Sequence, residues 1–182
     1  MGISIFYSGK LKDPHLVDAL VKEAADACMY VGWRFDYLKK SNIMPMRGII
    51  ITPEGSESIS LTFAENGLLA NPDRFMMGGN PEKMEISIER DGICFTKTQY
   101  AGADMHIAII KFMRYIIEKY FSEHTFMDDS GYWDQKDEDA CRYRFGEMEM
   151  ILDKMAGALG VDDEDTYEER IEEWIIENVR AN

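Results

Sequence analysis

The chain has 182 residues, 46% of them hydrophobic and 30% charged, with a net charge of −14. That is the size and balance of one globular domain with a sizeable core, and it argues against a disordered chain. The acidity disfavours phosphate backbones and anionic lipid, so neither nucleic acid nor membrane is an expected partner.

The charge is unevenly spread. Residues 1–100 carry a net −2 and residues 101–182 a net −12. No apolar run approaches the roughly 18 residues a membrane span needs. MGISIFYSGK lacks the basic and apolar regions of a signal peptide. The three cysteines, Cys28, Cys94 and Cys141, are widely spaced and form no CxxC pair. Reduced thiols in a cytoplasmic protein are expected, without disulfide, zinc site or cofactor.

Ile3, Ile5 and Tyr7 alternate with serines and predict a first strand. Asp13-Pro14 opens a helix over about 14–31, because Asp caps free N–H groups and Pro is at ease at the first helical position. Gly32 supplies its left-handed stop. Trp33, Phe35 and Tyr37 predict a strand, and Ile49 to Ile51 a central one. Ile59, Leu61 and Phe63 alternate up to the Asn66-Gly67 turn. Met84, Ile86 and Ile88, with the Asp91-Gly92 turn and residues 93–100, read as a hairpin. Such consecutive strands predict an antiparallel meander.

The second half reads as helices. Met105, Ile109, Phe112, Met113, Ile116, Ile117 and Tyr120 make a broad apolar face, widened by Ile107 and Ile110. A helix over about 135–158 is expected to bury Cys141, Phe145, Met148, Ile151, Leu152 and Met155, and a last helix follows the acidic run at 162–165. The expectation is a single α+β domain over 1–182, sheet-rich in 1–100 and helical in 101–182. Its antiparallel sheet has about five or six strands, with the N-terminal helix and the C-terminal helices packed against one face. In element order alone this resembles helix-grip and cystatin-like architectures, and the resemblance implies no function.

Four groups of residues are candidates for function. Asp165, Glu169, Glu173 and Glu177 fall at i, i+4 steps on the last helix, where like charges oppose helix formation. They offer a docking face for a basic protein or a solvated outer face. The loop over 66–83 carries Phe75, Met76 and Met77, adaptable apolar side chains suited to a contact patch, a lid or core packing. Its Gly78-Gly79 is no phosphate loop. The segment 123–134 gathers His124, Asp128 and Asp129 with Tyr132 and Trp133. A metal-assisted hydrolase would use those first three residues, but no HExxH or paired cysteine accompanies them. Trp33, Phe35 and Tyr37, finally, would line a small-ligand pocket between sheet and helix. His15 and His106 read as surface or structural residues, and the cysteines on apolar helix faces as inert. The leading expectation is a non-enzymatic interaction or regulatory module with a basic partner.

Overall fold

The computed structural model describes residues 2–77 and 92–158. The chain divides into two compact units, Met1–Phe145 and Gly146–Asn182. All strands described below belong to the first.

Strand β1 (Ser4–Leu11) leads through a 3₁₀ turn (Pro14–Leu16) into helix α1 (Val17–Val31). Asp13 Oδ1 accepts from the His15 N–H at 2.8 Å, and Gly32 takes φ 78° at the helix stop, as the sequence requires. Strands β2 (Arg34–Leu38), β3 (Met46–Thr52) and β4 (Ile59–Ala64) then form an antiparallel meander in the order β2-β3-β4. Gly48 lets β3 approach β4, since a Cβ there would stand 2.1 Å from the Leu61 carbonyl oxygen.

Helix α2 (Pro72–Met77) lies within the segment read as a loop. Strand β5 (Cys94–Lys97) and a 3₁₀ turn (Gln99–Ala101) lead into α3 (Gly102–Tyr120). The chain passes directly from α3 into strand β6 (Phe121–Asp128), then into a short helix α4 (Tyr132–Gln135) and α5 (Glu138–Ala158). β5 and β6 flank β1 in a second antiparallel sheet, β5-β1-β6. The meander therefore ends at β4, and β5 pairs back with the first strand. The hairpin expected from Met84 to Asp91 and the last helix lie outside the described residues.

Residues 67–70 join the two sheets. Leu11 donates to Gly67 and Leu69 to Gly9 on the β1 side, while Ala64 donates to Leu68 and Ala70 to Thr62 on the β4 side. The buried Tyr7 hydroxyl adds a second link. It donates to the Ser60 carbonyl at 3.2 Å and accepts from the Ser60 N–H at 2.9 Å. Much of the expected 66–83 loop is thus sheet linkage and packing, with Leu69 buried.

Helix α1 packs on β2 and β3, and α3 on β6. Leu20, Ile49, Ile51, Leu61, Ile109 and Ile110 are completely buried. Each stabilises the fold by about 1.5–3 kcal/mol relative to exposure. Glu23 of α1 ties the helices together, accepting from the Tyr115 and Tyr120 hydroxyls and from Lys119 Nζ at 2.7 and 2.8 Å. On α5, Cys141 and Phe145 are buried as expected, but Met148 and Leu152 are only half-buried and Ile151 is exposed.

Candidate functional site

The strongest concentration of buried polar chemistry centres on His106. Its position on α3 puts it among the isoleucines that face the core, and its side chain is fully buried. A buried imidazole must find partners. They come from two other stretches of the chain, Thr98 after β5 and the end of β6 with the turn after it. His106 Nδ1 lies 2.7 Å from Thr98 Oγ1, while Nε2 lies 3.1 Å from Asp128 Oδ1 and 2.9 Å from Ser130 Oγ.

Asp128, whose side chain is 1% exposed, closes the network. Its Oδ1 accepts from the Ser130 N–H at 2.8 Å, and its Oδ2 from Ser130 Oγ and the Trp133 N–H, both at 2.9 Å. Together with His106 these bonds occupy all four acceptor positions of a carboxylate. Because Nε2 faces acceptors, it carries a proton. Burial opposes the Asp128 charge, but the hydrogen bond and charge of His106 and the N–H groups of Trp133 and Ser130 outweigh it and hold the carboxyl below its ordinary range.

Ser, His and Asp side chains meet here, yet the group is closed. Thr98, His106 and Ser130 are all buried, and no cleft described in the structure is lined by any of them. A nucleophile needs a reachable substrate, and Ser130 Oγ instead donates to Asp128 and accepts from the Tyr132 N–H at 3.2 Å. The geometry is that of a latch holding the turn after β6 onto α3.

The segment around it is ordered differently from the expectation. His124 and Asp128 share a face through strand alternation, not through a continued helix. His124 is exposed, and its ring stands edge-on to Trp133 at 6.2 Å. Asp128 pairs with His106 instead. Asp129 is exposed, and its Oδ2 accepts from the Ser4 N–H at 3.1 Å. Among the described residues no three His, Cys, Asp or Glu side chains converge as a metal site. Trp133 stacks on Phe126 at 3.9 Å and lies beneath the Arg114 guanidinium at 4.6 Å, with Tyr132 buried beside it.

Trp33, Phe35 and Tyr37 line no common cleft among those described. Trp33 packs edge-on against Phe112 at 5.8 Å, and Phe35 against Tyr37 at 5.5 Å. Of the three, only Tyr37 borders a described cleft, one of about 300 Å³ beside Val17 and Arg47. All three cysteines are buried and reduced, and burial pushes the Cys28 thiol up to about 11 and that of Cys94 up to about 12.

The methionine segment has a definite setting. Asn71 Oδ1 caps α2, accepting from Asp73 and Arg74 at 2.9 and 3.2 Å. Phe75 is half-buried, while Met76 is 59% and Met77 85% exposed. Both methionines rim an open cleft of about 880 Å³, whose other walls include Ser58, Asn71, Arg74 and Phe95. The Arg74 guanidinium lies 5.9 Å over the Phe95 ring. In the register of β5-β1-β6, Phe95, Phe6 and Met127 fall in one row on the side of the sheet away from Ile5 and Tyr7. Asp165, Glu169, Glu173 and Glu177 lie outside the described residues.

In comparisons with known proteins, no family model, no curated protein and no solved structure matches the chain. Among the described residues no helix is long and apolar enough to cross a membrane.

Proposed function

We propose that this chain is a protein-recognition module with a basic partner. The observation that carries the reading is the exposure of Met76 and Met77 beside Phe95 at the rim of an open cleft, on a chain of net charge −14. Flexible thioethers and an aromatic ring give a surface that adapts to a partner's shape. The surplus carboxylates attract a cationic one and repel nucleic acid. In the sequence, Asp165, Glu169, Glu173 and Glu177 are the carboxylates proposed to attract that partner. The buried, unpaired thiols favour a reducing compartment, and cytoplasmic residence belongs to the proposal.

The test compares three baits in the native lysate: wild type, Met76→Ser with Met77→Ser, and Glu169, Glu173 and Glu177 all changed to Lys. The wild type is expected to retain a basic protein that both variants lose, with retention falling as salt is raised. Identical proteins on all three baits, or a retained protein that is acidic, would overturn the reading.

A further inference from the structure

Strand β6 ends the β5-β1-β6 sheet as β2 ends the β2-β3-β4 sheet, and the two differ. β2 has only five residues, includes Arg34 and Asp36, and runs into Lys39 and Lys40. Short length and charge are the usual guards against pairing with a foreign strand. β6 has eight residues and contains no Lys, Arg or Pro. Residues 122–125 and 127 are exposed.

Its backbone polarity follows from the register. Asp129 donates its N–H to the Ser4 carbonyl, and Phe6 pairs with Met127, Ser8 with Thr125 and Lys10 with Glu123. In an antiparallel pair, hydrogen-bonded positions alternate with outward-facing ones. Glu123, Thr125 and Met127 therefore bond to β1, while His124 and Phe126 direct their N–H and C=O groups to the open edge. Among the described residues those four groups have no backbone partner. The side chains set two rims: Glu123, Thr125 and Met127 on the outer side of the sheet, and His124, Phe126 and the stacked Trp133 on the helix side.

We infer that β6 is a docking edge for an extended cationic segment of a partner protein, which adds as a further antiparallel strand. The inference rests on the basic partner proposed above and names a binding mode for it. Main-chain bonds to His124 and Phe126 supply the attachment, and alternate side chains supply selectivity. A Lys or Arg of the incoming strand belongs opposite Glu123 on the outer side, and its alternate, apolar residues fall on the helix side with Phe126 and Trp133. Charge decides against a second copy of the chain as occupant. The chain carries a net −14, so two copies repel each other, whereas a cationic strand is attracted.

The probe is an acetylated eight-residue peptide of alternating Lys and Val, compared with one of alternating Glu and Val. It is added to the full chain while amide hydrogen exchange is followed residue by residue. The Lys peptide is expected to slow exchange at His124 and Phe126 at least tenfold and to leave Thr125 and Met127, already bonded to β1, unchanged. His124→Pro removes one outward N–H without touching a bond to β1, and it is expected to keep the melting temperature and weaken peptide binding at least tenfold. Glu123→Lys, which keeps the backbone intact, is expected to reverse the preference between the two peptides. Unchanged exchange at His124 and Phe126, equal binding of the Lys peptide by both variants, or protection that appears without peptide in a species of twice the chain mass would each overturn the inference. If the β6 variants capture the wild-type partner from lysate while the Met76/Met77 variant does not, the docking edge fails and the recognition function stands.

Discussion

Replacing Asp128 by Ala tests the latch between α3 and the turn after β6. The substitution removes the acceptor of the Ser130 and Trp133 N–H groups, of the Ser130 hydroxyl and of His106 Nε2, at 2.8–3.1 Å. Water cannot readily replace it, because the side chain is 1% exposed and its histidine partner fully buried. Each buried donor left without its acceptor costs about 1–3 kcal/mol, so losing the shared carboxylate costs about 3–5 kcal/mol in all. For a domain of this size that lowers the melting temperature by roughly 6–20 °C. Urea unfolding followed by circular dichroism measures the loss directly. His106→Ala is expected to cost a similar amount, and the double variant much less than the sum, since either change dissolves the same network. Acid adds a second reading. A carboxyl held below its ordinary value stabilises the fold above about pH 4, where the unfolded group is ionised, and that contribution is lost as pH falls through the folded-state value. The Asp128→Ala penalty should therefore shrink in acid. A cost below about 1 kcal/mol, the ordinary worth of one hydrogen bond, would refute the latch, as would additive single variants.

Three further outcomes follow from the fold. Glu23 is held down to about 2 by the hydrogen bonds of Lys119, Tyr115 and Tyr120, so the stability lost in Glu23→Gln, measured by thermal melts, should be full at pH 7 and fade as pH falls from about 4 towards 2. Gly48→Ala puts a Cβ 2.1 Å from the Leu61 carbonyl oxygen and 2.7 Å from the Thr62 Cα, both backbone atoms, and is expected to cost about 3 kcal/mol or more by urea unfolding, against about 0.5 kcal/mol for an unstrained surface change. Alkylation read by mass spectrometry should leave Cys28, Cys94 and Cys141 unmodified in the native protein at pH 8 and label all three in denaturant.

Local pattern was a good guide wherever one face of an element meets the core. The Asp13 cap, the Gly32 stop, strands β2 and β4 and the apolar face of α3 all stand in the structure where the sequence places them. β6 escaped because its alternation is weak. Only Phe121 is buried outright, and its charged and aromatic residues read equally well as a loop or a continued helix. Residues 67–70 escaped because a strip that joins two sheets is bonded on one side to nearby Thr62 and Ala64 but on the other to Gly9 and Leu11, far away in sequence. His106 was passed over because its helical neighbours are isoleucines, and nothing within a turn of it announces Thr98, Asp128 or Ser130.

By itself the sequence determined the α+β class, most of the elements, the acidic second half and the exposure-prone methionines, because propensity, capping and periodicity act over a few residues. Tertiary structure alone decided which polar groups meet. It moved Asp128 from a supposed partnership with His124 to a buried one with His106, and among the described residues it set β6 at the end of its sheet, with the N–H and C=O groups of His124 and Phe126 turned away from β1. Both depend on contacts between residues some 20 to 120 positions apart, a separation that no short-range pattern encodes.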